Sequence, residues 1–241
     1  MQTLSARAGY RRITFGPLAL RLRLRPVVIC LALAAAIAAG ATWALLHGTL
    51  DIPARAALAA LTGGEASREV LHVIADVRLP RVLMAMLVGA MLGLAGAAMQ
   101  TLTRNGLADP GLIGVKEGAS IGVLLVIFGA PALSIAWRPV AGLAGGLSAA
   151  LLVCALARDL SGLRFLLVGI GLSWLLSAVL LIFLTTADIN DVETALLWLA
   201  GSLHDAAWPA LPAAAFWGGV GALVLYSTAR QADAALLGDA A

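Results

Sequence analysis

The sequence predicts an all-α, polytopic membrane protein with about six transmembrane helices, and three observations predict it. Of 241 residues, 61% are hydrophobic and 12% charged, with a mean hydropathy of +0.98, whereas a soluble domain carries roughly a quarter charged residues. Six runs, 26–46, 82–103, 118–137, 139–157, 165–187 and 206–229, contain no Asp, Glu, Lys or Arg, and each approaches the ~20 residues that cross a hydrocarbon core. Aromatic residues are only 5%. The apolarity therefore rests on Ala, Leu, Val and Gly, which suits close helix packing better than a barrel with aromatic girdles.

Residues 1–25 hold Arg7, Arg11, Arg12, Arg21, Arg23 and Arg25 and read as an Arg-rich cytoplasmic amino terminus, followed by one transmembrane domain over 26–241. The run 26–46 is longer than the apolar stretch of a signal peptide, so it reads as the first span. Alternation then puts Arg104, Lys116, Arg158, Arg164 and Arg230 on the amino-terminal side, and Arg55, Arg68, Arg78, Arg81 and Arg138 on the other. Positive charge favours the cytoplasm, which makes the amino terminus cytoplasmic and the bacterial cytoplasmic membrane the expected location. Net charge is +3, but the basic residues lie scattered between apolar runs, so they are topology signals and not a nucleic-acid stripe. Cys30 and Cys154 sit in apolar runs and read as small buried side chains.

The segment 47–81 is a short external excursion with some helix. Between 118 and 137 the span is least regular, because Pro110, Gly111, Gly114 and Gly118 crowd its start. Its helix is expected to begin at membrane depth after irregular backbone, which must be buried in protein or line a cavity. In 188–205, Asn190 and Glu193 form a possible capping box, and Val192, Leu196, Leu199 and Leu203 recur at helical spacing. That pattern predicts an amphipathic helix at the outer surface.

Catalytic signatures are missing. The sequence has no His-Glu-x-x-His, no phosphate-binding Gly-x-x-x-x-Gly-Lys and no Gly-x-Ser-x-Gly, and His47, His72 and His204 are far apart. No enzyme activity, cofactor or metal site is expected. Ion-coupled carriers normally place ionisable groups inside the bilayer, and the six runs have none. If the chain moves a solute, the energy comes from another subunit. In the second span Ala85, Gly89, Gly93 and Gly96 form a small-residue face that lets a neighbouring helix approach. At its outer mouth Arg78 and Arg81 flank Leu79-Pro80, on the side where positive charge is normally depleted. Two roles are open for them: snorkelling to headgroups, or pairing with carboxylates of an external partner.

Arg78-Leu79-Pro80-Arg81, Leu87-Val88-Gly89-Ala90, Leu94-Ala95-Gly96-Ala97, Gln100, Arg104-Asn105-Gly106-Leu107-Ala108-Asp109-Pro110-Gly111 and Gly114 together resemble the FecCD family of ABC transporter permeases. Arg164-Phe165-Leu166-Leu167-Val168-Gly169 resembles the start of that family's fifth helix. Trp198-Leu199-Ala200-Gly201-Ser202-Leu203 is similar to its short external helix and following turn, and Leu237-Gly238-Asp239-Ala240 to the start of its ATPase-contacting segment. The resemblance covers essentially everything after Arg25.

It implies a permease subunit of an importer of iron-siderophores, haem, cobalamin or a related metal chelate. Its implied partners are a cytoplasmic ATPase, a periplasmic or lipoprotein binding protein and a second permease copy. Arg78 and Arg81 match arginines that dock the binding protein. Asn105, Gly106 and Leu107 match a cytoplasmic gate loop, and Ser161 and Gly162 fall in a similar gating loop before the pathway-lining fifth helix. Leu237, Gly238 and Asp239 match ATPase-contact positions. The chain departs from the family at Gly106, where proline is usual, and at Lys116-Glu117, where a more neutral pair is usual. It also holds six spans where the family has about ten, so it corresponds to the amino-terminal portion of such a permease. The alternative from another class is a truncated, non-transporting membrane remnant or scaffold.

Overall fold

The structure, a computed structural model, describes residues 10–15, 18–134, 137–158, 163–204 and 206–236. Two compact units divide between Leu83 and Met84. In the first, β1 (Tyr10–Phe15) and β2 (Leu18–Arg23) form an antiparallel hairpin with Arg12 opposite Arg21. Every other regular element among the described residues is helical, in keeping with the all-α class. The signal for the hairpin was the period-two alternation Leu20-Arg21-Leu22-Arg23, which suits a strand.

α1 (Leu24–Leu46) follows, and none of its residues is buried. The excursion after it folds as α2 (Ala54–Thr62), closed by Gly63 at φ 75°, and α3 (Arg68–Leu71), whose Ser67 hydroxyl accepts the Val70 N–H. Ile52, Ala57, Ala60 and Ile74 form a small core there. The chain then continues through a π-helical stretch, His72–Arg78, straight into α4 (Leu79–Thr103). Pro80 has no N–H to donate, and its ring crowds the carbonyl four residues back. A widened turn just upstream accommodates both effects.

In the second unit, the carboxy-terminal part of α4 leads to a 3₁₀ turn, Pro110–Ile113, and to α5 (Val115–Gly129), α6 (Trp137–Ala157), α7 (Leu163–Thr186), α8 (Ile189–Ala200) and α9 (Ala210–Leu236). Among the described residues five helices are long and apolar enough to span a membrane: Leu24–Leu46, Arg68–Thr103, Trp137–Ala157, Arg164–Thr186 and Ala210–Ala229. The third of the six expected spans is instead the 15-residue α5. It stops because Ala130 precedes Pro131 and leaves the helical region at φ −144°, ψ 61°. The core of this unit gathers Met99, Ala108, Ala149, Val153, Ala157, Phe165 and Leu172. Cys30 and Cys154 are exposed, against the expectation of burial.

Candidate functional site

Arg78 does not project from the mouth of α4. The side chain is 8% exposed, donates from Nη1 to the Leu45 carbonyl at 2.8 Å, and donates from Nη2 to the Leu50 carbonyl. Gly48 makes room for it, since a Cβ there would lie 2.7 Å from Nη2. The π-helical register carries Arg78 toward the Leu45 carbonyl in the last turn of α1 and the Leu50 carbonyl in the loop beyond it. Its guanidinium satisfies two acceptors that an apolar setting would otherwise strand. Arg81, one helical turn on, is half-buried. The joint projection of both arginines is thus corrected: within this unit Arg78 ties a loop together.

The segment expected to close the pathway is a tight, self-bonded loop. Arg104 turns the chain at φ 50°. The Asn105 side-chain carbonyl accepts the Leu107 N–H at 2.9 Å, and its backbone carbonyl accepts the Ala108 N–H at 3.1 Å. Leu107 stands 90% exposed at the tip beside Gly106, while Ala108 is buried in the core. Asp109 then caps the 3₁₀ turn through Gly111 N–H, and Gly114, at φ 77°, redirects the chain into α5.

That descent fixes where α5 begins. Ile113 lies against Gly169 of α7, and Gly114 against Ser173 and Leu176, where an added Cβ would come within 3.4 Å of the Ser173 nitrogen. Farther along, the Phe128 ring is 5.1 Å from that of Phe183. α5 and α7 therefore run in the same direction. Ser173 is ten residues into α7, or about 15 Å along its axis, which is near the midplane of a ~30 Å hydrocarbon core. The helix thus starts level with the middle of α7, on a loop of which Ala108 and Gly114 are buried while Arg104 to Leu107, Asp109 and Leu112 are exposed.

Lys116 and Glu117 are consequently not loop residues. They occupy the first turn of α5, level with the middle of α7, which corrects the assignment of Lys116 to the amino-terminal side and the picture of uncharged spans. Glu117 is 6% exposed, and its Oε1 is 3.4 Å from Lys116 Nζ; Oε2 is buried without a hydrogen-bond partner. Both line a cavity of about 290 Å³ with Ser120, Ser177, Leu180, Leu181, Leu184 and Leu199. The available signal was Gly114, a natural left-handed cap that starts the helix four residues before the uncharged run.

Close packing lies elsewhere than expected. Gly89, Gly93 and Gly96 have nothing within 4 Å of an added Cβ, and Ala85 is exposed. The intimate seam is α5 on α6, where a Cβ at Gly118 would lie 2.6 Å from the Gly145 carbonyl oxygen. Gly122 likewise abuts the Ala141 carbonyl, and Gly145 that of Gly118. α8 is helical as expected, but Asp188 holds its cap position and Asn190 lies inside its first turn. Its buried residue is Ala195, with Leu199 facing the cavity. Arg138 stands 5.8 Å from the Trp198 ring, joining α8 to the start of α6. Ser161, Gly162, Leu237, Gly238 and Asp239 lie outside the described residues. Among the described residues no three His, Cys, Asp or Glu side chains cluster as metal ligands.

Known proteins share this architecture. Residues 26–241 match the FecCD transport family. The ferric enterobactin transport system permease protein FepG of Escherichia coli is 38% identical over 188 residues, covering 76% of this chain and 56% of FepG. The Fe(3+) dicitrate transport system permease protein FecD of the same organism is 34% identical over 212 residues, covering 85% and 63%. A solved metal-chelate type ABC transporter in an inward-facing conformation superposes with a TM-score of 0.71 at 27% identity, covering 85% of this chain and 63% of that one. The chain thus spans less than two thirds of the length of these relatives. With the motif run 78–114 forming the mouth, the descending loop and the start of α5, this chain belongs to the FecCD transport family.

Proposed function

We propose that the chain is a transmembrane permease subunit of an ATP-binding cassette importer that moves an iron-siderophore or related metal chelate across the bacterial cytoplasmic membrane. The observation that supports it most is the descending loop 104–114. The residues that resemble the family form this irregular loop, and its end, Ile113 and Gly114, packs on α7 where α5 starts. Such backbone is tolerated in a membrane only inside protein or along a cavity, which is what a solute pathway requires.

In this reading ATP is hydrolysed by a separate cytoplasmic subunit, a periplasmic or lipoprotein binding protein delivers the chelate, and a second permease copy completes the pathway. The end bearing Arg104, Arg158 and Arg164 faces the cytoplasm, in line with the excess of positive charge there. The loop Asn105-Gly106-Leu107 and the loop containing Ser161 and Gly162 close the inner side, and α8 closes the outer side. Leu237, Gly238 and Asp239 contact the ATPase. At the outer mouth Arg81 pairs with a carboxylate of the binding protein, while buried Arg78 shapes the surface around it. Ala85, Gly89, Gly93 and Gly96 receive a helix from outside the described residues.

Affinity purification of the chain from its native membrane tests this reading. It should carry an ATPase with it, and in liposomes a chelate-loaded binding protein should raise ATP hydrolysis several-fold. A chain that purifies without an ATPase, and whose liposomes show no stimulation, would contradict it.

A further inference from the structure

The group at mid-depth that the transport reading leaves unused is the Glu117 carboxylate. An intramembrane ionisable side chain is costly and marks a function by default. Here the cost is visible atom by atom. Lys116 Nζ forms an ion pair with Oε1 at 3.4 Å, longer than a good hydrogen bond, and its side chain is 76% exposed, so water screens the pair. Oε2 is buried with no partner at all. A carboxylate oxygen accepts only, so what is missing is a donor.

The rest of the cavity describes that donor's carrier. Ser120 and Ser177 offer hydroxyl oxygens that accept further N–H bonds, and Leu180, Leu181, Leu184 and Leu199 form an apolar wall in the same space of about 290 Å³. That volume lies at the small end of ligand sites, so it receives one arm of a solute and not a whole chelate. We propose that the cavity between α5, α7 and α8 is a recognition subsite for a primary ammonium group carried on an apolar arm of the solute, with Glu117 as its counter-charge and Ser120 and Ser177 as its remaining acceptors. Lys116 competes for the same carboxylate. The proposal rests on the permease reading for its solute, but the site itself is a property of this chain.

The test compares two probes: a ferric trihydroxamate bearing a free ammonium arm, and the same chelate with that amine acetylated. Iron-labelled probes are measured for equilibrium binding to the full chain in nanodiscs, and for ATP-driven uptake by the reconstituted complex. The wild-type chain should prefer the ammonium probe by about tenfold, the scale of one charge-assisted hydrogen bond. Glu117→Gln should bring the ratio to near one, and Lys116→Gln should raise it. A folding defect lowers both probes alike and leaves the ratio unchanged, so it does not imitate this result. Equal binding of the two probes by the wild type, or a ratio that survives Glu117→Gln, overturns the subsite. Discriminating binding without ATP-driven uptake overturns the permease reading and upholds the site; uptake without discrimination does the reverse.

Discussion

Arg78 and Gly48 act as one device. Two carbonyls take both ends of a single guanidinium, and lysine, with one ammonium, does not span them. Arg78→Lys should lower thermal stability in detergent by about 1–3 kcal/mol, the range for hydrogen bonds to a buried charged group. Gly48→Ala should destabilise in the same direction, since its Cβ would meet Nη2 at 2.7 Å. Arg81→Glu should weaken binding-protein association. If Arg78→Lys leaves the melting curve unmoved, or Arg81→Glu leaves that affinity unmoved, the division of labour between the two arginines is wrong. The pair was legible in the sequence from its odd placement on the outer side. The burial of one member was not, because it depends on the π-helical turn before Pro80 and on two carbonyls roughly 30 residues upstream.

At the scale of elements, α5 and α6 are packed backbone to backbone and the small face of α4 is not packed within the chain. Gly118→Leu or Gly145→Val forces a side chain against a carbonyl of the facing helix and should cost at least the ~1–3 kcal/mol typical of overpacking. Gly89→Ala should be near neutral in the isolated chain. A second helix seated on α4 in the assembled transporter would make the same change costly there. Unfolding of purified chain and of assembled complex, compared variant by variant, checks both statements. Trp198→Ala should loosen α8 from α6 and speed proteolysis between them, because the Arg138 contact is lost. The sequence marked small-residue spacing in both helix pairs but does not say which face finds a partner. That depends on α5 starting at Gly114, whose left-handed cap sets the register of the whole helix against Gly142, Gly145 and Gly146.

Across the whole molecule, membrane class, helix order and family were legible because hydropathy and an ordered run of motif residues report them directly. Harder to read was depth. Counting uncharged residues assigned Lys116 to a loop and α5 to a full span, whereas the loop 104–114 sets the start of α5 level with the middle of α7 and the Ala130-Pro131 step ends it after 15 residues. The ionisable pair at mid-depth also sharpens the question of energy source, since buried charge is the usual mark of ion-coupled carriers. Reconstituting the chain with the ATPase and binding protein that the proposed function calls for, and following accumulation of an iron-labelled chelate inside proteoliposomes, decides it. The account predicts uptake that needs ATP and persists when proton and sodium gradients are collapsed; uptake that stops with the gradients while ATP remains high would contradict it.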